Sequence, residues 1–211
     1  MYHVPTYAEK PYLVENKQKE FDIDFNIVSS KLRANRVCLD IGAHIGIYAC
    51  NYASKFEQVH SFEPVPRLFE LLEKNAQRFP NITTYNKAVS DNANPLEMYE
   101  HYRNTEINVI EHEETKNLLS ASQFENIDCM NKISIKCIDI DSLNLTNIDF
   151  IKIDTEEYIS PVIKGMLTTL KNNDPVIQIE SCKESHSILS SLGYNKFNMR
   201  SYDSFYHKDI S

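Results

Sequence analysis

Tryptophan is absent from the 211 residues and glycine occurs only four times. No apolar run approaches the roughly 20 residues that cross a bilayer, and residues 1–19 hold no apolar stretch of the kind that opens a secretory leader. So little glycine excludes a collagen-like chain. With 42% hydrophobic residues and strand-like runs throughout, the sequence is neither disordered nor of low complexity. Lysine and arginine form no stripe, and 30 acids outnumber 22 bases for a net charge of −8, which argues against binding nucleic acid through its phosphates. The five cysteines (Cys38, Cys50, Cys129, Cys137, Cys182) are scattered and never spaced CxxC, which fits neither a zinc cluster nor a disulfide framework. The expectation is a soluble cytoplasmic chain with no membrane span, and the sequence does not indicate an oligomeric state.

What is there is strand followed by amphipathic helix, the signature of an α/β sheet. The length suits a single domain over residues 1–211, with an N-terminal segment 1–35, a core 36–200 and a variable acidic loop 100–130. Val37–Ile41 is a short apolar run ending in an acid, as for a strand buried on both faces. Gln58–Glu63 repeats that pattern and is followed by Pro64. Helical spacing of Leu68, Leu71, Leu72, Ala76 and Phe79 predicts a helix from Arg67, stopped by Pro80. Ile82–Val89 reads as a third strand. Leu96–Tyr99 and Ile133–Ile138 read as an antiparallel pair, and Ile148–Asp154 as a fourth parallel strand. A helix is expected from Pro161 at its first position to Lys171, then a strand Val176–Glu180 and a helix Ser185–Leu192 capped by Gly193. A hairpin of Tyr194–Phe197 with Ser204–Tyr206 closes the chain.

The chemistry concentrates in Asp40-Ile41-Gly42-Ala43-His44-Ile45-Gly46, where glycines follow a buried strand and open a helix. The turn can be sharp there, and backbone N–H groups can face a ligand. Glu63 lies 21 residues beyond Gly42, at the tip of the next strand, where a carboxylate can accept both hydrogen bonds of a ribose diol. A dinucleotide fingerprint needs a glycine where His44 stands, so that the backbone can approach a pyrophosphate. Asp40 would repel a pyrophosphate but suits the ammonium and sulfonium charges of S-adenosylmethionine. The loop therefore reads as a methyl-donor site.

These residues, with VCLDIGAHIGIY (37–48), HSFEPVPRLFELLEKN (60–75), NKAVSD (86–91), IDIDSL (138–143), IDFIKIDTE (148–156), IKG (163–165) and PVIQIE (175–180), resemble the FkbM-type class I methyltransferases in order and spacing. The resemblance implies a Rossmann-like, mostly parallel seven-stranded sheet flanked by helices, with one antiparallel strand near its end. It also implies S-adenosyl-L-methionine as cofactor and methyl transfer to a hydroxyl, with a sugar or other small metabolite as acceptor. It places Asp40, Gly42, Ala43 and Gly46 at the methionine moiety, with His44 also touching the cofactor. Glu63 falls on the ribose, and Ala88 and Val89 near the adenine. Asp154 and Glu156 match the acids at the tip of the strand facing the acceptor. Glu157 and Ile159 depart from the pattern, standing where the family has a glycine and a second glutamate.

A strand-tip carboxylate partly shielded from water has its pKa raised toward the working range, so Asp154 or Glu156 is the candidate general base. The same position also suits a carboxylate that only orients the substrate. Asp154, Glu156 and Glu180 offer hard oxygen ligands to a divalent cation, but no metal is assigned. Two other readings stay open: a silent S-adenosylmethionine-binding protein, and a nicotinamide-dependent oxidoreductase lacking the central glycine. The acidic 100–130 loop is expected to select the acceptor.

Overall fold

The computed structural model describes residues 2–3, 10–101, 108–110, 130–156 and 158–209. Its frame is a seven-stranded sheet built from β1 (Val37–Ile41), β2 (Gln58–Phe62), β3 (Ile82–Tyr85), β9 (Ile148–Ile153), β10 (Val176–Glu180), β11 (Asn195–Arg200) and β12 (Asp203–His207). The spatial order is β11-β12-β10-β9-β1-β2-β3. Neighbours from β3 to β10 pair in parallel, and β12 runs antiparallel to both β10 and β11. The expected single reversed strand is therefore β12. Helices α1 (Lys10–Ser29), α2 (Ile47–Tyr52), α3 (Pro66–Ala76), α4 (Ile159–Lys164), α5 (Leu167–Asn173) and α6 (Lys183–Ser191) flank the sheet.

Alternation along the central strands sends side chains to two cores. Leu39, Ile41, Ile151, Ile153, Ile177 and Ile179 belong to one. Cys38, Phe150 and Val176 join Phe21, Val28, Tyr52 and Phe56 in the other. On this second face the next residues along β1, β9 and β10 are Asp40, Lys152 and Gln178, aligned in register and all buried. Ser61 of β2 pairs with Asp40 and extends the row. Toward the C-terminal strand edge, then, this face changes from apolar to polar, which ordinary core packing does not require.

Several elements depart from the sequence reading. Ile82–Val89 is not one strand: β3 stops at Tyr85, and β4 (Ala88–Val89) pairs in parallel with β8 (Cys137–Ile138) in a separate small sheet. Asn86 makes the break, its side-chain amide donating to the carbonyls of Glu63 and Pro64. The antiparallel pair forms as β5 (Leu96–His101) with β7 (Met130–Ile135), joined by β6 (Asn108–Ile110). The helix expected from Pro161 starts earlier, at Ile159, and breaks near Gly165, whose added Cβ would lie 1.9 Å from the Ser90 carbonyl oxygen. A first-turn proline costs no helical hydrogen bond, so Pro161 is tolerated there. Gly193 does follow α6 as expected, at φ 85°.

Helix α1 was not anticipated. Its buried face is Phe21, Asp24 and Val28, and Asp24 binds Arg200 at 2.6 Å and accepts from the Tyr48 hydroxyl at 3.0 Å. Phe21 meets the rings of Tyr48 and Tyr52 edge-on. Among the described residues no helix is long and apolar enough to cross a membrane.

Candidate active site

Where β1 ends, the chain turns through Gly42 at φ 84° into a cavity of about 300 Å³ above the C-terminal strand edge. A Cβ on Gly42 would lie 1.7 Å from the carbonyl oxygen of Asp154, whose own N–H donates to Ile41. The β1 loop and the β9 tip are thus pressed backbone to backbone. Gly46, at φ 83°, precedes α2 and faces the flexible end of Leu72 at 2.6 Å from an added Cβ. The left-handed backbone there costs an L-residue about 1–2 kcal/mol. A Gly46→Ala variant should therefore melt about 2–8 °C lower; an unchanged melting curve would show that the turn relaxes.

The loop does not offer its amides to a ligand as the sequence suggested. Gly42 and Ala43 donate to the Phe62 carbonyl at 3.0 and 2.9 Å, His44 to Glu63 Oε2 at 2.9 Å, and Gly46 to Ala43. His44 adopts φ 53°, so it fills the left-handed position with a side chain that lines the cavity. An amide cradle for phosphate is not built here.

The acids are. Asp40 is fully buried; neither carboxylate oxygen makes a close hydrogen bond, and the N–H of Ala49 in α2 gives its charged form only weak support. Burial pushes its carboxyl up to about 6, against the pull of Lys152. Glu63 is also buried; its oxygens accept from the N–H groups of His44 and Val65, each at 2.9 Å, and burial raises it to about 7 despite those bonds. Ala88 and Val89 line the cavity with Leu68, Met98 and Ile110, giving that end an apolar wall. All eight cofactor positions expected from the sequence fall on this cavity or on the loop that shapes it.

Asp154 and Glu156 line the same space, and Glu156 has φ 43°. The expected rise in the Asp154 pKa is not found. Its surroundings do push it up, but the Lys152 ammonium at 2.8 Å outweighs them and holds it below the ordinary carboxylate range. Its side chain remains 54% exposed to the cavity. Lys152 was missed from the sequence. It is buried beside Asp40 in register, and its ammonium lies 4.8 Å from the Tyr48 ring centre. Burial alone would make it shed its proton, and Asp154 and Asp40 together hold its pKa above the usual lysine value. A lysine inside the doubly covered run IDFIKID was the available signal.

Ile159, where the resemblance places a glutamate, is 2% exposed and packs in the core; Glu157 lies outside the described residues. So do most of the 100–130 loop and Cys129. Among the described residues no three His, Cys, Asp or Glu side chains are grouped to hold a metal ion, Asp154, Glu156 and Glu180 included.

The family model described as the methyltransferase FkbM domain matches residues 40–199. The chain belongs to that family. No curated protein sequence matches it. Among solved structures, this FkbM-family chain is similar to methyltransferase FkbM from Methylobacillus flagellatus KT, at 18% identity and a TM-score of 0.54. That match covers 85% of this chain but only 45% of the other, so this chain corresponds to less than half of that protein. It is also similar to the putative methyltransferase yhhF from Escherichia coli, at 12% identity and TM-score 0.52, covering 100% and 92% of the two chains. N-methyltransferase NodS from Bradyrhizobium japonicum WM9 matches at 10% identity and TM-score 0.52, covering 94% and 96%. Identities this low concern architecture, and the architecture is that of the class I methyltransferases.

Proposed function

We propose that this methyltransferase uses S-adenosylmethionine to methylate a hydroxyl of a small metabolite, with a sugar favoured by its family. The observation that carries this is Asp40: a buried carboxylate with no close hydrogen bond and only weak support from the Ala49 N–H, on a cavity where the N–H groups of Gly42, Ala43, His44 and Gly46 are already engaged. Such a site suits a cationic ligand without phosphate. Asp40 and the loop from Gly42 to Gly46, with Ala43 and His44, would hold the methionine moiety, Glu63 the ribose diol, and Ala88 with Val89 the adenine. Each Glu63 oxygen keeps lone-pair capacity beyond its one backbone donor, which a diol can fill.

When bound, the cofactor supplies an electrophilic methyl group. The protein must align the acceptor oxygen in line with it and exclude water. Asp154, held ionised by Lys152, is suited to accept a hydrogen bond from the acceptor and orient it, and poorly suited to keep its proton. Proton removal then falls to Glu156, two residues further along the cavity rim. The low pKa of Asp154 thus separates the roles of two acids that the sequence left equivalent.

Calorimetry with S-adenosylhomocysteine and with NAD tests the donor site. S-adenosylhomocysteine should bind, and Glu63→Ala should weaken it about tenfold to a hundredfold, the loss of a charged hydrogen-bond acceptor. Binding of NAD alone, or of neither compound, would sink the proposal.

A further inference from the structure

We infer that Lys17, carried by α1, receives the carboxylate of the donor's methionine moiety, so that the N-terminal helix is a working wall of the binding site. This rests on the donor reading above and adds a residue to it. The methionine moiety is a zwitterion. Asp40 answers its ammonium and the neighbouring sulfonium, but Asp40, Asp154 and Glu63 all repel its carboxylate. A cation is the strongest partner for that carboxylate, and the N–H groups of Gly42, Ala43, His44 and Gly46 already donate within the protein.

Among the described residues three lysines line the cavity: Lys17, Lys87 and Lys152. Lys152 is buried and committed to Asp154 at 2.8 Å. Lys87 adjoins Ala88 and Val89, at the end assigned to adenine. Lys17 stands at the other end, where its charge helps hold Asp154 low. Its side chain is 34% exposed and lies 3.5 Å from Glu20, so it is neither lost to bulk solvent nor sealed in the core.

The helix can hold a side chain there because its register is fixed. Residues 17, 21, 24 and 28 follow the 3.6-residue period along one face. Phe21 is clasped by Tyr48 and Tyr52, and Asp24 by Arg200 and Tyr48. Tyr48 also carries Lys152 over its ring, so one side chain aligns the helix and the charged floor of the cavity together.

The test compares two probes that share adenosine and sulfur but differ in the amino-acid arm: S-adenosylhomocysteine, which has it, and 5′-methylthioadenosine, which does not. By calorimetry, Lys17→Gln should weaken S-adenosylhomocysteine about tenfold and leave 5′-methylthioadenosine unchanged, and Lys17→Arg should restore most of the loss. If Lys17→Gln leaves both affinities unchanged, or weakens both equally, the inference is overturned while the donor site stands. If the unaltered protein binds neither probe, the donor reading falls and this inference with it. The melting temperature without ligand should not move, which separates a lost contact from a disturbed helix.

Discussion

Replacing Lys152 by methionine should lower the melting temperature near neutral pH by about 6–12 °C, corresponding to a loss of about 3 kcal/mol. Methionine fills most of the lysine volume, so the effect is electrostatic. Asp40 is wholly buried with only weak support from the Ala49 N–H, and the ammonium next to it in register is the main group that makes its charge tolerable. Asp154 also loses its 2.8 Å partner, but its half-exposed carboxylate can turn to water, which keeps the loss at the low end for a broken buried pair. The deficit should shrink toward pH 5, where Asp40 can take up a proton. Lys152→Met combined with Asp40→Asn should recover part of the stability, because the stranded charge is then gone. A single variant as stable as the parent at neutral pH would mean that Asp40 is neutral already and that the lysine does not sustain it.

Lys152 also shows where sequence reasoning reached and where it stopped. The strands β1, β9 and β10 are legible because both faces are covered, which leaves short apolar runs bounded by acids. Asp40 and Glu63 are legible as strand-end acids because each follows a short apolar run and precedes a turn. The row linking Asp40 to Lys152 and Gln178 is not legible, since it exists only once parallel strands far apart in sequence fall into register. Helix α1 was missed for a related reason: its inward face mixes Phe21 and Val28 with Asp24, whose partner Arg200 lies 176 residues away. Without an apolar stripe, no helical period stands out. The engaged loop amides were equally hidden, because their acceptors are the Phe62 carbonyl and the Glu63 side chain on the neighbouring strand.

The ligand-free protein should be most stable in mild acid and lose stability as pH rises from about 4 to 7. Asp40 shifts from 3.8 to about 6 and Glu63 from 4.5 to about 7 on folding, both driven by burial. The folded state therefore binds protons more tightly than the unfolded chain in that window, and raising pH through it favours unfolding. Each shift spans about two units, or about 3 kcal/mol, and the two together give a fall of about 10–24 °C between pH 4.5 and 7.5. Asp203, also raised by burial, adds to the slope. His60 opposes it: burial lowers its pKa below 6.5, so its contribution is regained as pH rises toward that value. One partly buried imidazole does not offset two buried carboxylates. Asp154 and Asp141, both held low, contribute stability above 3.8 that is lost only as pH falls further, which sets the acid limit of the optimum. Saturating S-adenosylhomocysteine should flatten the slope, since a ribose diol on Glu63 and an ammonium near Asp40 favour their charged forms. It should then bind more tightly at pH 8 than at pH 6, with proton release measurable in buffers of different ionisation heat. A ligand-free melting temperature that rises from pH 4.5 to 7.5 would show that these two carboxylates are solvated in the empty cavity, and would remove the electrostatic basis for assigning them to a cationic ligand.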